Sequence, residues 1–291
     1  MRFFFTLLIS GIATGSIYGL VAVGYSLTYA TMNVLNFGLG MWVMLGAMLG
    51  FTFYVSWGLN IFITLFLVIV VVFIFAALME QVSVHPFVMA GSLVWIMSTL
   101  AVGMLMINGA QLIWGREPLP FPSSLGRKAV KIFDIGIYPQ ELLIIGAALL
   151  IMVLLELFYK KTLTGKALRA TAFNMDTAAL MGINTTFIAI LSYAISGSIA
   201  GTAGVLIAPI TLAEATMGTV LGVKAFGIAI IGGLESAKGI FICGILYGVM
   251  EGMISGYLYS GIRDIIGFSI VILLLFFRPQ GLFGIKTVEK V

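Results

Sequence analysis

Nine apolar runs of helical length set the limits on what this chain can fold into. They lie near residues 4–28, 34–56, 60–79, 89–110, 139–158, 186–207, 219–233, 240–258 and 264–277. A bilayer core needs about 20 helical residues to be crossed. Backbone amides in hydrocarbon must be bonded within the protein, so helices are expected, whereas a β-barrel would show short alternating segments. Composition supports this reading: 61% of the 291 residues are apolar and 9% are Asp, Glu, Lys or Arg, against about 25% charged in a soluble domain. The expected fold is all-α, a polytopic integral membrane helical bundle with eight or nine transmembrane helices in one domain spanning 1–291. The count turns on 219–233, a short run with Lys224 and several glycines that reads as tilted, broken or re-entrant.

Charge placement orients the bundle. Lys160, Lys161, Lys166 and Arg169 form one basic cluster and Arg278, Lys286 and Lys290 another, and basic loops favour the cytoplasm. The 160–186 loop and the C-terminus are therefore expected inside. The 112–138 loop is expected outside despite Arg116, Arg127, Lys128 and Lys131, because one span separates it from 160–186. Nine spans would put the N-terminus outside and eight would put it inside. The net charge of +4 reflects this loop bias rather than nucleic-acid binding. Met1 and Arg2 precede an apolar stretch without a convincing cleavage site, which reads as a retained first helix. Cys243 cannot form an internal disulfide and is expected to be a buried, inert thiol.

Glycines recur at intervals of four. Gly11, Gly15 and Gly19 form one series and Gly244, Gly248, Gly252 and Gly256 another, with Gly46/Gly50, Gly197/Gly201 and Gly218/Gly222 as pairs. Each set lies on one helix face, where bare backbone lets a neighbour approach closely. Such faces serve tight packing, or sliding and room for a solute. The segments 15–24 and 244–252 are alike, which suggests a duplicated half.

Polar groups at membrane depth are functional candidates by default. Asn36, Gly38, Lys224 and Glu251 are the candidates for a translocation path. For Glu251 an interhelical hydrogen bond and a direct role in the path both stand. Asn108, Gln111 and Glu156 are also near spans, and His85 reads as an interfacial loop residue. No cluster with metal-ligand spacing, no Ser-His-Asp set and no paired carboxylates occur, so neither catalysis nor a metal is expected. No phosphate loop exists either, since Gly165-Lys166 is followed by Ala167. Energy from ATP would have to come from another chain.

The polar segment KKTLTGKALRATAFNMDTAALMGINTT (160–186) suits a short amphipathic helix, with Ala170, Phe173, Ala178 and Met181 on one side and Arg169, Asn174 and Asp176 on another. Docking to a soluble partner and lying on headgroups are both compatible with it. This segment, together with SGSIAGTAGVL, GVKAFGIAIIGGLES, GILYGVMEG and the tail FRPQGLFG, resembles the permease family of branched-chain amino acid ABC importers from end to end.

The resemblance implies a second permease subunit, homologous or identical, two cytoplasmic ATP-binding subunits that hold ATP and Mg, and an external solute-binding protein. It places the chain in a bacterial plasma (inner) membrane, and it makes 166–183 a coupling helix in a cleft of the ATPase, with Lys166, Arg169, Asp176, Ala178, Met181 and Gly182 as its contacts. The chain also departs from the family pattern. Leu35-Asn36-Phe37-Gly38-Leu39-Gly40-Met41 lacks a customary His and Glu, His85-Pro86-Phe87-Val88 replaces an Arg-rich loop, and Glu235-Ser236 replaces a Gly-Ser pair. These departures imply a solute less polar or differently charged than a branched-chain amino acid. Urea or amides and aromatic or organic acids are alternative cargoes. An ion-coupled secondary transporter or channel is the alternative from another class.

Overall fold

The structure is a computed structural model that describes residues 2–123, 125–126, 130–132, 135–278 and 280–284. Among these, twelve α-helices carry the fold: α1 (Arg2–Met32), α2 (Leu39–Gly50), α3 (Ile61–Met79), α4 (His85–Met89), α5 (Val94–Trp114), α6 (Pro139–Lys161), α7 (Leu163–Phe173), α8 (Met175–Leu180), α9 (Thr185–Thr211), α10 (Met217–Gly232), α11 (Ala237–Tyr257) and α12 (Arg263–Phe277). π-Helical turns extend α2 through Phe51–Ser56 and join α3 to α4 through Glu80–Val84. Eight of these helical stretches are long and apolar enough to cross a membrane, and α10 is a shorter apolar helix. A small antiparallel hairpin, β1 (Val130–Ile132) and β2 (Ile135–Ile137), pairs Val130 with Ile137 in the loop before α6. Arg127, Lys128, Asp134, Lys286 and Lys290 lie outside the described residues.

Local chemistry sets the helix starts. Asn60, Thr162, Asn174, Asn184 and Ser236 each accept a backbone N–H of the first turn of α3, α7, α8, α9 and α11, satisfying donors that have no intrahelical partner. Pro139 opens α6, where its missing N–H costs nothing.

The glycine series define the core seam. α1 and α11 run antiparallel, and a Cβ on Gly15 would lie 2.6 Å from the Gly244 carbonyl oxygen, while one on Gly248 would lie 2.3 Å from Gly15 Cα. Gly11 packs on Gly248 and Val249, Gly19 on Phe241, and both Gly252 and Gly256 reach Leu7. The look-alike segments 15–24 and 244–252 are therefore the two faces of one contact, with Tyr18 and Tyr247 edge to face at 6.1 Å. They share glycine spacing because each must admit the other.

The halves of the fold correspond differently. α1 packs on α11 as α9 packs on α3, α10 packs on α1 as α2 packs on α9, and α5 covers α2 as α12 covers α10. Equivalent breaks follow the equivalent helices: Asn33 (φ 53°) ends α1 and Leu212 (φ 68°) ends α9, the latter a strained conformation for a leucine. Gly40 and Gly218, each second in its helix, meet reciprocally, with virtual Cβ atoms 2.2 and 2.4 Å from one another's carbonyl oxygens.

Leu39, the first residue of α2, lies against Gly24, eight residues before the end of α1. This depth is about 12 Å. α2 thus starts inside the bundle rather than at its end, and α10 starts beside it. With α10 added to the eight longer stretches, nine apolar helical stretches run along the bundle among the described residues. The start of α1 and the 280–284 segment lie at opposite ends of the bundle. Gly281 and Phe283 pack on Gly233 and Gly239, at the end that also holds α7 and α8.

Candidate functional site: a mid-bundle cavity and an elbow at one end

The starts of α2 and α10 border a cavity of 240 Å³ lined by Tyr25, Phe37, Met41, Leu100 and Phe226, with Thr219 as a hydroxyl at its edge. Tyr25 donates its hydroxyl to the Gly222 carbonyl at 3.2 Å, and Phe37 and Phe226 lie 5.4 Å apart between ring centroids. Asn36 is buried and accepts the Gly38 N–H at 3.0 Å. Two of the expected path residues, Asn36 and Gly38, therefore shape the turn that delivers α2 to the cavity wall. Leu39 and Met41 stand where an imidazole and a carboxylate would stand in the resemblance pattern. Leu39 is buried against Gly24 and Met41 faces the cavity. The positive ends of two helix dipoles thus converge on an otherwise apolar space.

Lys224 and Glu251 do not line this cavity. They bond each other at 2.5 Å, buried between α10 and α11, and Lys224 also reaches Asp264 at 2.8 Å. Arg263 closes the set, 3.3 Å from Glu251 and 3.5 Å from Asp264, and Lys224 lies 5.6 Å from the centre of the Tyr18 ring. Two cations balance two anions, so the group is electrically closed. They form an internal ion-pair network, which includes the interhelical bond that one of the two readings of Glu251 expects. Arg263 and Asp264 open an apolar helix, and nothing in the sequence pattern ties them to Lys224 and Glu251. A second missed pair is buried Glu80 with His85, 3.3 Å apart across the π-helical turn. His85 is thereby more than a loose loop residue.

The 160–186 segment forms an elbow. Two helices, α7 and α8, meet at Asn174, whose extended backbone (φ −161°, ψ 112°) breaks the single helix expected over 166–183. The inward face is Gly165, Leu168, Thr171 and Ala178. A Cβ on Gly165 would lie 2.1 Å from the Phe158 carbonyl, so close backbone contact, rather than the large apolar residues, chooses which side faces in. Ala178 is consequently buried and is not a surface contact, a correction to its expected role. Lys166, Arg169, Asp176, Met181 and Gly182 remain exposed. Phe173, Leu180 and Met181 are 93%, 87% and 81% exposed. Gly182, at φ +84°, ends α8 with its N–H on Ala179 and the Ile183 N–H on Ala178, a glycine-terminated cap.

No group of three or more His, Cys, Asp or Glu able to hold a metal occurs among the described residues. Cys243 is free and buried in α11.

Residues 7–277 match the family described as branched-chain amino acid transport system / permease component. The high-affinity branched-chain amino acid transport system permease protein LivH of Salmonella typhimurium is 28% identical over 99% of this chain and 98% of its own length. BraD of Pseudomonas aeruginosa, with the same description, is 29% identical over 98% and 97%. An inward-facing ABC transporter structure shares the fold with TM-score 0.51 at 14% identity, covering 94% of this chain and 85% of that one.

Proposed function

We infer the function from one premise: the chain belongs to the family of permease components of branched-chain amino acid transport systems. It forms, on this reading, half of the transmembrane path of an ATP-driven importer. The other half is a second permease subunit, homologous or identical. Two cytoplasmic subunits bind ATP and Mg, and an external binding protein delivers the solute. The membrane is the bacterial plasma (inner) membrane, with the α7–α8 end and the C-terminus in the cytoplasm.

The observation that carries this reading is the elbow. Phe173, Leu180 and Met181, all large and apolar, stand in the open beside the break and at the end of the elbow, which is the signature of a contact surface. Its root is held by close packing on α6 and by contacts to α1 and α9. A push on Phe173 or Met181 is therefore transmitted to the glycine-packed helices rather than absorbed by a loop. ATP-driven closure of the partner subunits would tilt α1 and α9, and the cavity at the starts of α2 and α10 would open to one side at a time.

The cavity supports a small solute with an apolar body and a carboxylate. Aromatic and aliphatic side chains receive the first, and the converging helix starts favour the second. A branched-chain amino acid has this form, as do aromatic and organic acids. Urea and amides lack the carboxylate and fit less well. An ion-coupled mechanism loses its main support once Glu251 is engaged by Lys224 and Arg263. The test is Phe173→Asp in proteoliposomes containing the partner subunits and the loaded binding protein. Uptake should fall at least about tenfold, corresponding to roughly 1.4 kcal/mol of lost coupling, while the protein still inserts. Undiminished coupled uptake would remove the elbow from the mechanism.

A further inference from the structure

A groove of 380 Å³ runs between α6 and α11 on the outside of the bundle. Leu149, Met152, Val153, Phe241 and Ile242 form its apolar walls. From Leu149 to Glu156 it extends about 10 Å along α6, and Leu149, Val153 and Ile242 are open to the surroundings that a membrane-spanning helix meets. Its mouth has the opposite character. Lys160 and Lys238 both bond the same oxygen of Glu156, at 2.6 and 2.9 Å, and Arg169 from α7 completes the rim. Three cations face one carboxylate, which leaves a local charge of two positive units. Arg169 has no ion-pair partner among the described residues.

We propose that this groove is a binding site for an anionic phospholipid, with the phosphate on Lys160, Lys238 and Arg169 and the upper part of one acyl chain between α6 and α11. Charge complementarity selects the occupant. A phosphodiester accepts charge-assisted hydrogen bonds from ammonium and guanidinium groups, and basic pockets between spanning helices suit such headgroups. Glu156 preorganises the two lysines in the empty groove and competes with the phosphate for them. The lipid would join α7, α6 and α11 at the root of the elbow. The proposal needs only that the chain spans a membrane, so its failure leaves the transport reading standing.

Native mass spectrometry of the full-length protein, equilibrated with equal amounts of phosphatidylglycerol and phosphatidylcholine of matched acyl chains, reads the preference directly. Retention of phosphatidylglycerol is expected. Lys160→Gln with Lys238→Gln should reduce that preference about 30-fold, the effect typical of two basic side chains at an anionic lipid surface. Glu156→Gln should increase it, because the competing carboxylate is gone. An unchanged preference in the lysine variant, or a decrease in Glu156→Gln, overturns the proposal. If the lysine variant does not fold, Val153→Trp fills the groove without touching the bases and should abolish the retained phosphatidylglycerol; wild-type retention there overturns it equally. So does a cross-link from Val153→Cys, in a Cys243→Ala background, to a second protein chain of the assembled transporter, because the groove then belongs to a protein contact.

Discussion

Adding one methyl group at Gly15 tests whether backbone contact holds the bundle together. A Cβ there would lie 2.6 Å from the Gly244 carbonyl oxygen and 2.8 Å from Ile245 Cα, whereas ordinary contact begins at 3.4 Å. Neither neighbour is a side chain that can rotate away, so α1 and α11 must separate by roughly 0.5–1 Å, a gap that forfeits about a quarter to a half of each contact's attraction. Overpacking of this kind costs about 1–3 kcal/mol. The control is Gly146 on α6, where nothing lies within 4 Å of the added atom. Gly146→Ala gains about 0.5–1 kcal/mol of helix preference without a clash. Gly15→Ala has the same gain, so the two variants differ by the clash alone. That difference should separate their unfolding midpoints by between about 2 and 12 °C. The buried thiol of Cys243, beside Gly244, provides the assay, since a thiol-reactive fluorogenic dye lights up as α11 leaves the seam. A midpoint for Gly15→Ala equal to or above that of Gly146→Ala would refute the argument.

Three further outcomes are expected. Gly182→Ala forces a side chain into φ +84° at about 1–2 kcal/mol; it should lower the ratio of uptake to ATP hydrolysis in reconstituted transporter, with Gly182→Asn closer to wild type. Lys224→Met leaves Arg263 alone to balance Glu251 and Asp264 and should cost up to about 3–5 kcal/mol, most of it restored in Lys224→Met with Glu251→Leu; thermal scans with the same thiol dye compare the two, and equal instability of single and double variants would rule out the pairing. Met41→Glu places a carboxylate at the cavity wall and should reduce uptake of an organic acid that has no amino group at least about tenfold, about 1.4 kcal/mol, through like-charge repulsion; undiminished uptake would remove Met41 from the path.

Apolar run length made the helices legible, and all nine runs have starts within about five residues of their sequence estimates, α2 and α5 being displaced the most. The exceptional starts and ends follow from features that hydropathy does not register. Residues 33–38 are apolar enough to join a span, yet Asn33 at positive φ and the turn closed by Asn36 on the Gly38 N–H stop the helix and let α2 begin within the bundle. Glycine periodicity identified the packing faces but not their partners, because a spacing of four says that something comes close without saying what. That is why two contacting faces looked like duplicated halves. Lys224 and Glu251 were recognisable as unusual, but their meaning depended on Arg263 and Asp264, brought to them by the turn between α11 and α12. In the elbow, the inward side was set by Gly165, the residue with no side chain to weigh in an amphipathic pattern.

The seam between α1 and α11 also fixes an order of events during synthesis. Gly15 is made early and Gly244 late, and at about 5–20 residues per second the ribosome needs about 10–45 s to cover the distance between them. Throughout that interval the first helix sits in the bilayer with a stripe of bare backbone facing lipid and nothing to fill it. The most extensive helix contact of the finished protein is thus among the last to form, and α1 must be kept from pairing with the glycine stripe of another nascent chain until α11 arrives.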